Sequence, residues 1–154
     1  MSAFRLRPAE PNDADLLLGW ANAPDSLAAK MQTSSAIPRS THVDWLARRL
    51  ADSEARIRII LDGDAEIGQV RLEPREGALE IDVYVVPDRR GRGVAHAALS
   101  CVFAEVGAGS VLRARARAAN AASRRLFASL GFRETAVQAD HVVFERDAVE
   151  MEKP

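Results

Sequence analysis

The sequence predicts an α/β (α+β) fold of one domain, in which helices pack on both faces of a mixed, mostly antiparallel sheet. Three observations predict it. Segments of alternating polar and apolar residues are interleaved with segments whose apolar residues recur at helical spacing. The 154 residues, 47% hydrophobic and 28% charged, are enough for one domain with its own core over 1–154. The strand-like run "EIDVYVV" passes through a proline into "PDRRGRGV" and on into an alanine-rich stretch, so a tight loop joins a strand to a helix.

Each element follows in order. "FRLRP" alternates as a first strand should, and Asn12 with Asp15 three residues later caps a helix carrying Leu16, Leu17 and Trp20. After a polar loop, Thr41 with Asp44 opens a second helix whose stripe is Val43, Leu46, Ala47 and Leu50. "RIRIIL" is a strand, Asp62 to Asp64 a hairpin turn, and "EIGQVRLE" its partner. "REG" turns the chain again into "LEIDVYVV", which Pro87 stops. Leu99, Val102, Phe103 and Val106 recur at i, i+3, i+4 and i+7, so a helix leaves the loop. "VLRARARA" is a strand, "NAASRRLFASL" a helix closed by Gly131, and "FRETAV" and "HVVFERDAVEM" are the last strands. About seven strands and four helices result.

Composition excludes several function classes. No stretch approaches the roughly 18 consecutive apolar residues of a membrane span, and no charged start leads into an apolar block, so a cytoplasmic protein without a membrane partner is expected. Cys101 is the single cysteine, which excludes an internal disulfide; it follows the stripe of Ala97, Ala98 and Val102 and reads as core rather than as a nucleophile. His42, His96 and His141 lack partners at metal-ligand spacing, so no metal is expected. The 21 basic residues are balanced by 22 acidic ones, which argues against bulk binding of nucleic acid. Arg113, Arg115 and Arg117 do share one face of a strand, but without interleaved aromatic residues.

The loop has the chemistry of an anion site. A glycine-rich turn at the start of a helix aims unpaired N–H groups and the positive end of the helix dipole at one spot. Gly91 and Gly93 keep side chains away from it, while Arg89, Arg90 and Arg92 offer charge-assisted hydrogen bonds. The loop lacks both G-x-x-x-x-G-K-[ST] and the third glycine of G-x-G-x-x-G, which disfavours nucleotide hydrolysis and dinucleotide binding.

Val85-Val86-Pro87 with Arg90-x-x-Gly93-x-Ala95, and later Asn120-x-x-Ser123, Leu126-Phe127 and Leu130-Gly131-Phe132, resemble the signature of the GNAT N-acetyltransferases. The element order resembles that fold over nearly the whole chain. The resemblance implies acetyl-CoA as cosubstrate. It places pantetheine against the backbone of Val83, Tyr84 and Val85, and pyrophosphate in the loop Arg90, Gly91, Arg92, Gly93, Val94, Ala95 and His96. Asn120, with Ser123 and Phe127 of the same motif, meets the pantetheine arm, Asn120 serving also as helix N-cap.

Acyl transfer to an amine needs a base for the ammonium, donors for the developing oxyanion and an acid for the thiolate. Strand alternation sets Glu80, Asp82 and Tyr84 on one face. Glu80 is the candidate base, acting through water, with Asp82 second. The glutamate that one branch of the family carries five residues before the asparagine is replaced by Arg115, and the tyrosine usual seven residues after it by Phe127. Tyr84, the single tyrosine, is the remaining candidate acid, or solvent serves. The acceptor is read from His42, Trp45 and Arg49 at i, i+3 and i+7 on the second helix, a face suited to a flat ring carrying phosphates. His42-x-x-Trp45 and Trp20 resemble the GNAT branch that acetylates nucleotide-linked amino sugars in nonulosonic acid synthesis, although Trp20-Ala21-Asn22 stands where that branch has Trp-Arg-Asn. Protein N-termini and small amines are the alternative acceptors, a CoA-binding sensor is the alternative of another class, and a monomer or homodimer is expected.

Overall fold

The computed structural model describes residues 4–29, 36–107 and 109–148. Seven strands form one sheet: β1 (Phe4–Pro8), β2 (Arg56–Asp62), β3 (Ala65–Arg75), β4 (Ala78–Val85), β5 (Val111–Arg117), β6 (Arg133–Gln138) and β7 (His141–Asp147). Their spatial order is β1-β2-β3-β4-β5-β7-β6. Every neighbouring pair is antiparallel except β4 and β5. Five helices complete the described residues: α1 (Ala14–Ala21), α2 (Pro24–Ala29), α3 (Arg39–Ala51), α4 (Val94–Phe103) and α5 (Ala121–Ser129). The expected mixed sheet is present. The extra helix is α2, placed where the sequence suggested a polar loop; at six residues it is too short to display a helical period.

Strand alternation divides the sheet into two faces. On one, Ile57, Ile59 and Leu61 of β2 pack beneath α1 and α3 with Leu17 and Leu46. On the other, Ile60, Val70, Leu72, Leu112 and Phe144 pack with Leu99, Val102 and Phe103 of α4 and Phe127 of α5.

Several helix details differ from expectation. A 3-10 turn at Pro11–Asp13 leads into α1, and Asp13 rather than Asn12 anchors it. The buried Asp13 carboxylate accepts the Glu10 N–H at 2.8 Å and two parallel bonds from the Arg7 guanidinium, each at 2.9 Å. That bidentate pair ties the helix start to β1, which the exposed Asn12 cannot do. Helix α3 starts at Arg39, directly after Pro38 (φ −65°), so Thr41 and Asp44 lie inside it. Its buried positions are His42 and Leu46, with Ala47 exposed; the stripe is rotated so that His42 turns into the protein. Cys101 is exposed, because the buried stripe of α4 runs through Val94, Ala98, Leu99, Val102 and Phe103. Residues 149–151 of the final expected strand lie outside the described residues.

The feature that positions the site is the parting of β4 from β5. The two strands pair only at Leu79 with Leu112 and Glu80 with Arg113, and beyond that they run unpaired. Across β4 the ladder with β3 continues to Gly68 and Val85. A Cβ on Gly68 would lie 2.1 Å from the Tyr84 carbonyl oxygen, so only glycine permits this approach. Ile67 is the extra residue of a bulge opposite the Ile60–Leu61 step, and bulges raise local twist.

Candidate active site

The parted strands open a cleft of about 1000 Å³. Ile81 to Val85 of β4 form one wall. Arg115, Ala116 and Arg117 of β5 with Asn120, Ser123, Leu126 and Phe127 form the other. Trp20, Asp25, His42 and Trp45 reach in from α1, α2 and α3.

At one end stands the start of α4. Gly91 and Gly93 have φ of 77° and 79°, the left-handed region that favours glycine. A Cβ on either would meet no protein atom within 4 Å, so their surroundings are open. Gly93 is the N-cap of α4, and no side chain caps the helix. The first-turn amides of Val94, Ala95 and His96 therefore lack intrahelical partners. Helix α5 differs: its N-cap Asn120, a residue of the cleft lining, accepts from the Ser123 N–H through Oδ1 at 3.0 Å.

The three arginines expected to grip an anion are placed otherwise. Arg89 bonds Asp62 at 2.6 Å. Arg90 donates through Nε to the Val85 carbonyl at 2.7 Å, pairs with Asp25, and lies 5.2 Å from the Tyr84 ring centre. Both brace the loop against its surroundings. Arg92 is exposed, lies outside the cleft lining, and has no ion-pair partner among the described residues. Arg89 and Arg90 are thus engaged within the protein, whereas the first-turn amides of α4 stay open.

Glu80, Asp82 and Tyr84 share a face as expected, standing opposite Glu73, Arg71 and Gln69 of β3. Their fates differ because the strands part just after Glu80. Glu80 sits where β4 and β5 are still paired, bonded to Arg115 Nε at 3.0 Å, and does not line the cleft. Asp82 does line it, with its side chain 54% exposed; it accepts from Gln69 Nε2 at 2.8 Å and lies 3.6 Å from Arg71. Tyr84 lines it too, its ring 5.9 Å from that of Trp20. Burial, followed by the negative charge of Asp25, pushes the Tyr84 hydroxyl above its ordinary range. It remains a proton donor at neutral pH.

The expected acceptor face of α3 is divided. His42 and Trp45 line the cleft, their rings 5.2 Å apart, and the Arg71 guanidinium lies 5.0 Å from the Trp45 ring centre. His42 is buried and its Nε2 has no hydrogen-bond partner. Burial first, then the nearby Arg71, lower its basicity and favour the neutral ring. Arg49 lies outside the lining and bonds Glu73 at 2.6 Å, whereas Arg48 takes a place in the cleft. The site also includes Asp25, Gln69 and Arg71, which sequence reasoning missed. The only sequence signal for the last two was polar residues recurring at every second position of "GQVRLE", inside a central strand.

A family model described as an acetyltransferase (GNAT) domain matches residues 4–133. No curated protein sequence matches significantly. Among solved structures, the chain is similar to yncA, a putative acetyltransferase from Salmonella typhimurium solved with acetyl-CoA, at 21% identity, 94% coverage of both chains and a TM-score of 0.80. A ribosomal-protein-alanine N-acetyltransferase from Brucella melitensis is 22% identical, with 93% of this chain and 99% of that one covered and a TM-score of 0.79. A spermidine N-acetyltransferase from Vibrio cholerae, solved with CoA and spermine, is 13% identical, with 98% and 99% covered and a TM-score of 0.82. These likenesses agree with the fold described above.

Proposed function

This chain belongs to the GNAT acetyltransferase family, and we propose that it moves the acetyl group of acetyl-CoA directly to the amine of a nucleotide-linked amino sugar. Acetyl-CoA supplies the activated thioester. The amides from Gly91 to His96 hold its pyrophosphate, the backbone of Val83 to Val85 on the unpaired side of β4 pairs with pantetheine, and the Asn120 NH₂ meets the same arm. Ser123 and Phe127 flank that arm from α5. The open surroundings of Gly91 and Gly93 and the uncapped start of α4 support this placement.

Asp82 takes the acceptor's proton, directly or through one water, because it is the carboxylate of the expected pair that faces the cleft. Glu80 holds Arg115 in place instead. Tyr84, kept protonated by burial and by Asp25, delivers a proton toward the leaving sulfur.

The observation that carries the acceptor is the group His42, Trp45 and Arg71 beside Asp82. An indole flanked by a guanidinium suits a flat base, and the unpartnered Nε2 of a neutral His42 suits a hydroxyl or phosphate oxygen as donor. Arg48, in the lining and without an ion-pair partner among the described residues, extends this end's positive charge toward an anionic carrier. A polycation meets repulsion there, which disfavours polyamines. CoA release is assayed with a UDP-linked 4-amino sugar, an N-terminal peptide and spermidine. The proposal expects the sugar to be turned over fastest, and turnover confined to the peptide or to spermidine would sink it.

A further inference from the structure

Gln69 belongs to no motif, yet it is the polar side chain most fully enclosed in the cleft wall apart from His42. It stands on β3 opposite Tyr84 and is 5% exposed. Its amide is satisfied on one side only: Nε2 donates to Asp82 Oδ2 at 2.8 Å, whereas Oε1 is shielded from water and has no hydrogen-bond partner. The chemistry fixes which way the amide faces. A carboxylate only accepts, so turning the amide over would set oxygen against oxygen. A buried carbonyl oxygen without a donor is destabilising, and native structures rarely keep one without a reason.

What would satisfy it must carry donors and be drawn to Asp82. A primary ammonium meets both conditions: it has three N–H groups and a positive charge. Asp82, half exposed, attracts it, and for the enclosed Oε1 to meet the same ammonium the Gln69 amide must turn about its soft terminal torsion. A hydroxyl, with one donor, cannot serve both oxygens.

We infer that Gln69 is an amine-recognition residue, whose N–H holds the Asp82 carboxylate while its carbonyl oxygen takes a second N–H of the acceptor's ammonium. This rests on the reading that Asp82 faces the acceptor amine. It makes the amine end selective for nitrogen over oxygen independently of what the rest of the acceptor carries. It also gives the ammonium a fixed orientation before Asp82 removes a proton, so that the lone pair emerges away from Gln69.

The test uses the full chain saturated with CoA, which cannot transfer, titrated calorimetrically with a UDP-linked 4-amino sugar, an N-terminal peptide and spermidine. The amine that binds wild type most tightly is then used throughout. Gln69→Leu removes both the donor and the oxygen and is expected to weaken amine binding at least tenfold. Gln69→Glu keeps an oxygen but repels Asp82; it is expected to bind the ammonium as well as wild type or better, while kcat, measured separately with acetyl-CoA, falls tenfold or more because the proton is held more firmly. CoA affinity should be unchanged in both. Should Gln69→Leu lose CoA affinity, the volume-preserving Gln69→Met takes its place under the same expectation. Unchanged amine binding in the apolar variant overturns the inference. So does equal weakening in Gln69→Leu and Gln69→Glu, which would mean packing alone, and so does a wild type that binds none of the three amines. Binding and turnover of the peptide in place of the sugar would overturn the amino-sugar acceptor and leave Gln69 standing.

Discussion

The two ends of the cleft are made of different material. At the start of α4 the donors are main-chain amides, freed by two left-handed glycines and an absent cap. At the β3–α3 end the groups facing the cleft are side chains gathered from separate elements, His42 and Trp45 from α3, Gln69 and Arg71 from β3, Asp82 from β4. A backbone site is a property of one contiguous stretch and changes little when neighbouring side chains change. A side-chain site depends on every element that contributes to it, so it can be re-specified one residue at a time while the cofactor end is left alone. One fold can thus serve many acceptors.

The largest effect that would break this division is at Asp82. Asp82→Asn should lower kcat by about 10²- to 10⁴-fold, the usual range for losing a general base, whereas Glu80→Gln should stay within a few-fold of wild type. Steady-state kinetics on the two variants decide it. Comparable losses would mean that a residue at the closed end of the strands takes part in chemistry, and that the parting of β4 from β5 does not set the boundary of the site.

A smaller effect is expected from the aromatic wall. Trp45→Ala should raise the acceptor KM about tenfold, as loss of one stacking platform does, with the KM for acetyl-CoA unchanged. A rise in both would show that the two ends are not separate.

Gly68→Ala probes the backbone on which the cofactor end depends. The added Cβ would meet the Tyr84 carbonyl at 2.1 Å, so β3 and β4 must separate. Overpacking of this kind costs about 1–3 kcal/mol and lowers the melting temperature of a chain this size by about 5 °C. Acetyl-CoA affinity should fall with it if the displaced strand pairs with pantetheine as proposed; thermal unfolding and calorimetry report the two effects. Unchanged affinity would detach β4 from the cofactor site.

The smallest effect is the pH dependence of stability at His42. Burial and Arg71 lower its pKa in the folded protein. Below about pH 6.5 the unfolded chain takes up a proton that folded His42 refuses. Its contribution is therefore complete above that pH and is lost progressively as the pH falls further. Between pH 7.5 and 5.5, His42→Gln should lose less stability than wild type. Equal losses would place His42 in a wetter, less constrained position than the cleft wall.

What was legible in the sequence follows the same division. Strand periods, the hairpin turns and the loop around Gly91 and Gly93 are local, and the seven-stranded sheet with a glycine-rich strand-to-helix turn could be read from them. Helix α2 was missed because six residues hold less than two turns. Asn12 with Asp15 and Thr41 with Asp44 suggested caps by spacing, but Arg7 reaching across from β1 chose Asp13, and Pro38 began α3 early. Arg89 and Arg90 looked like anion ligands until Asp62 and Asp25, 27 and 65 residues away, took them up. Glu80 and Asp82 were indistinguishable as alternating acids on one strand; only the register with β5, which ends at Glu80, separates them. Gln69 had no sequence signal as a partner of Asp82, because strand pairing alone joins them.

The central claim is that the main chain at the start of α4 holds the cofactor while the side chains of the other end do not. Calorimetric titration of acetyl-CoA into wild type, Asp82→Asn and Gly93→Glu tests it in one experiment, with circular dichroism verifying that all three are folded. The glutamate sets a negative charge where the phosphates are proposed to bind, on a residue whose φ of 79° also suits a side chain poorly. Micromolar affinity, equal within twofold for wild type and Asp82→Asn and weakened about a hundredfold or more in Gly93→Glu, is the predicted result. Equal affinity in all three proteins, or a loss in Asp82→Asn as large as that in Gly93→Glu, would contradict it.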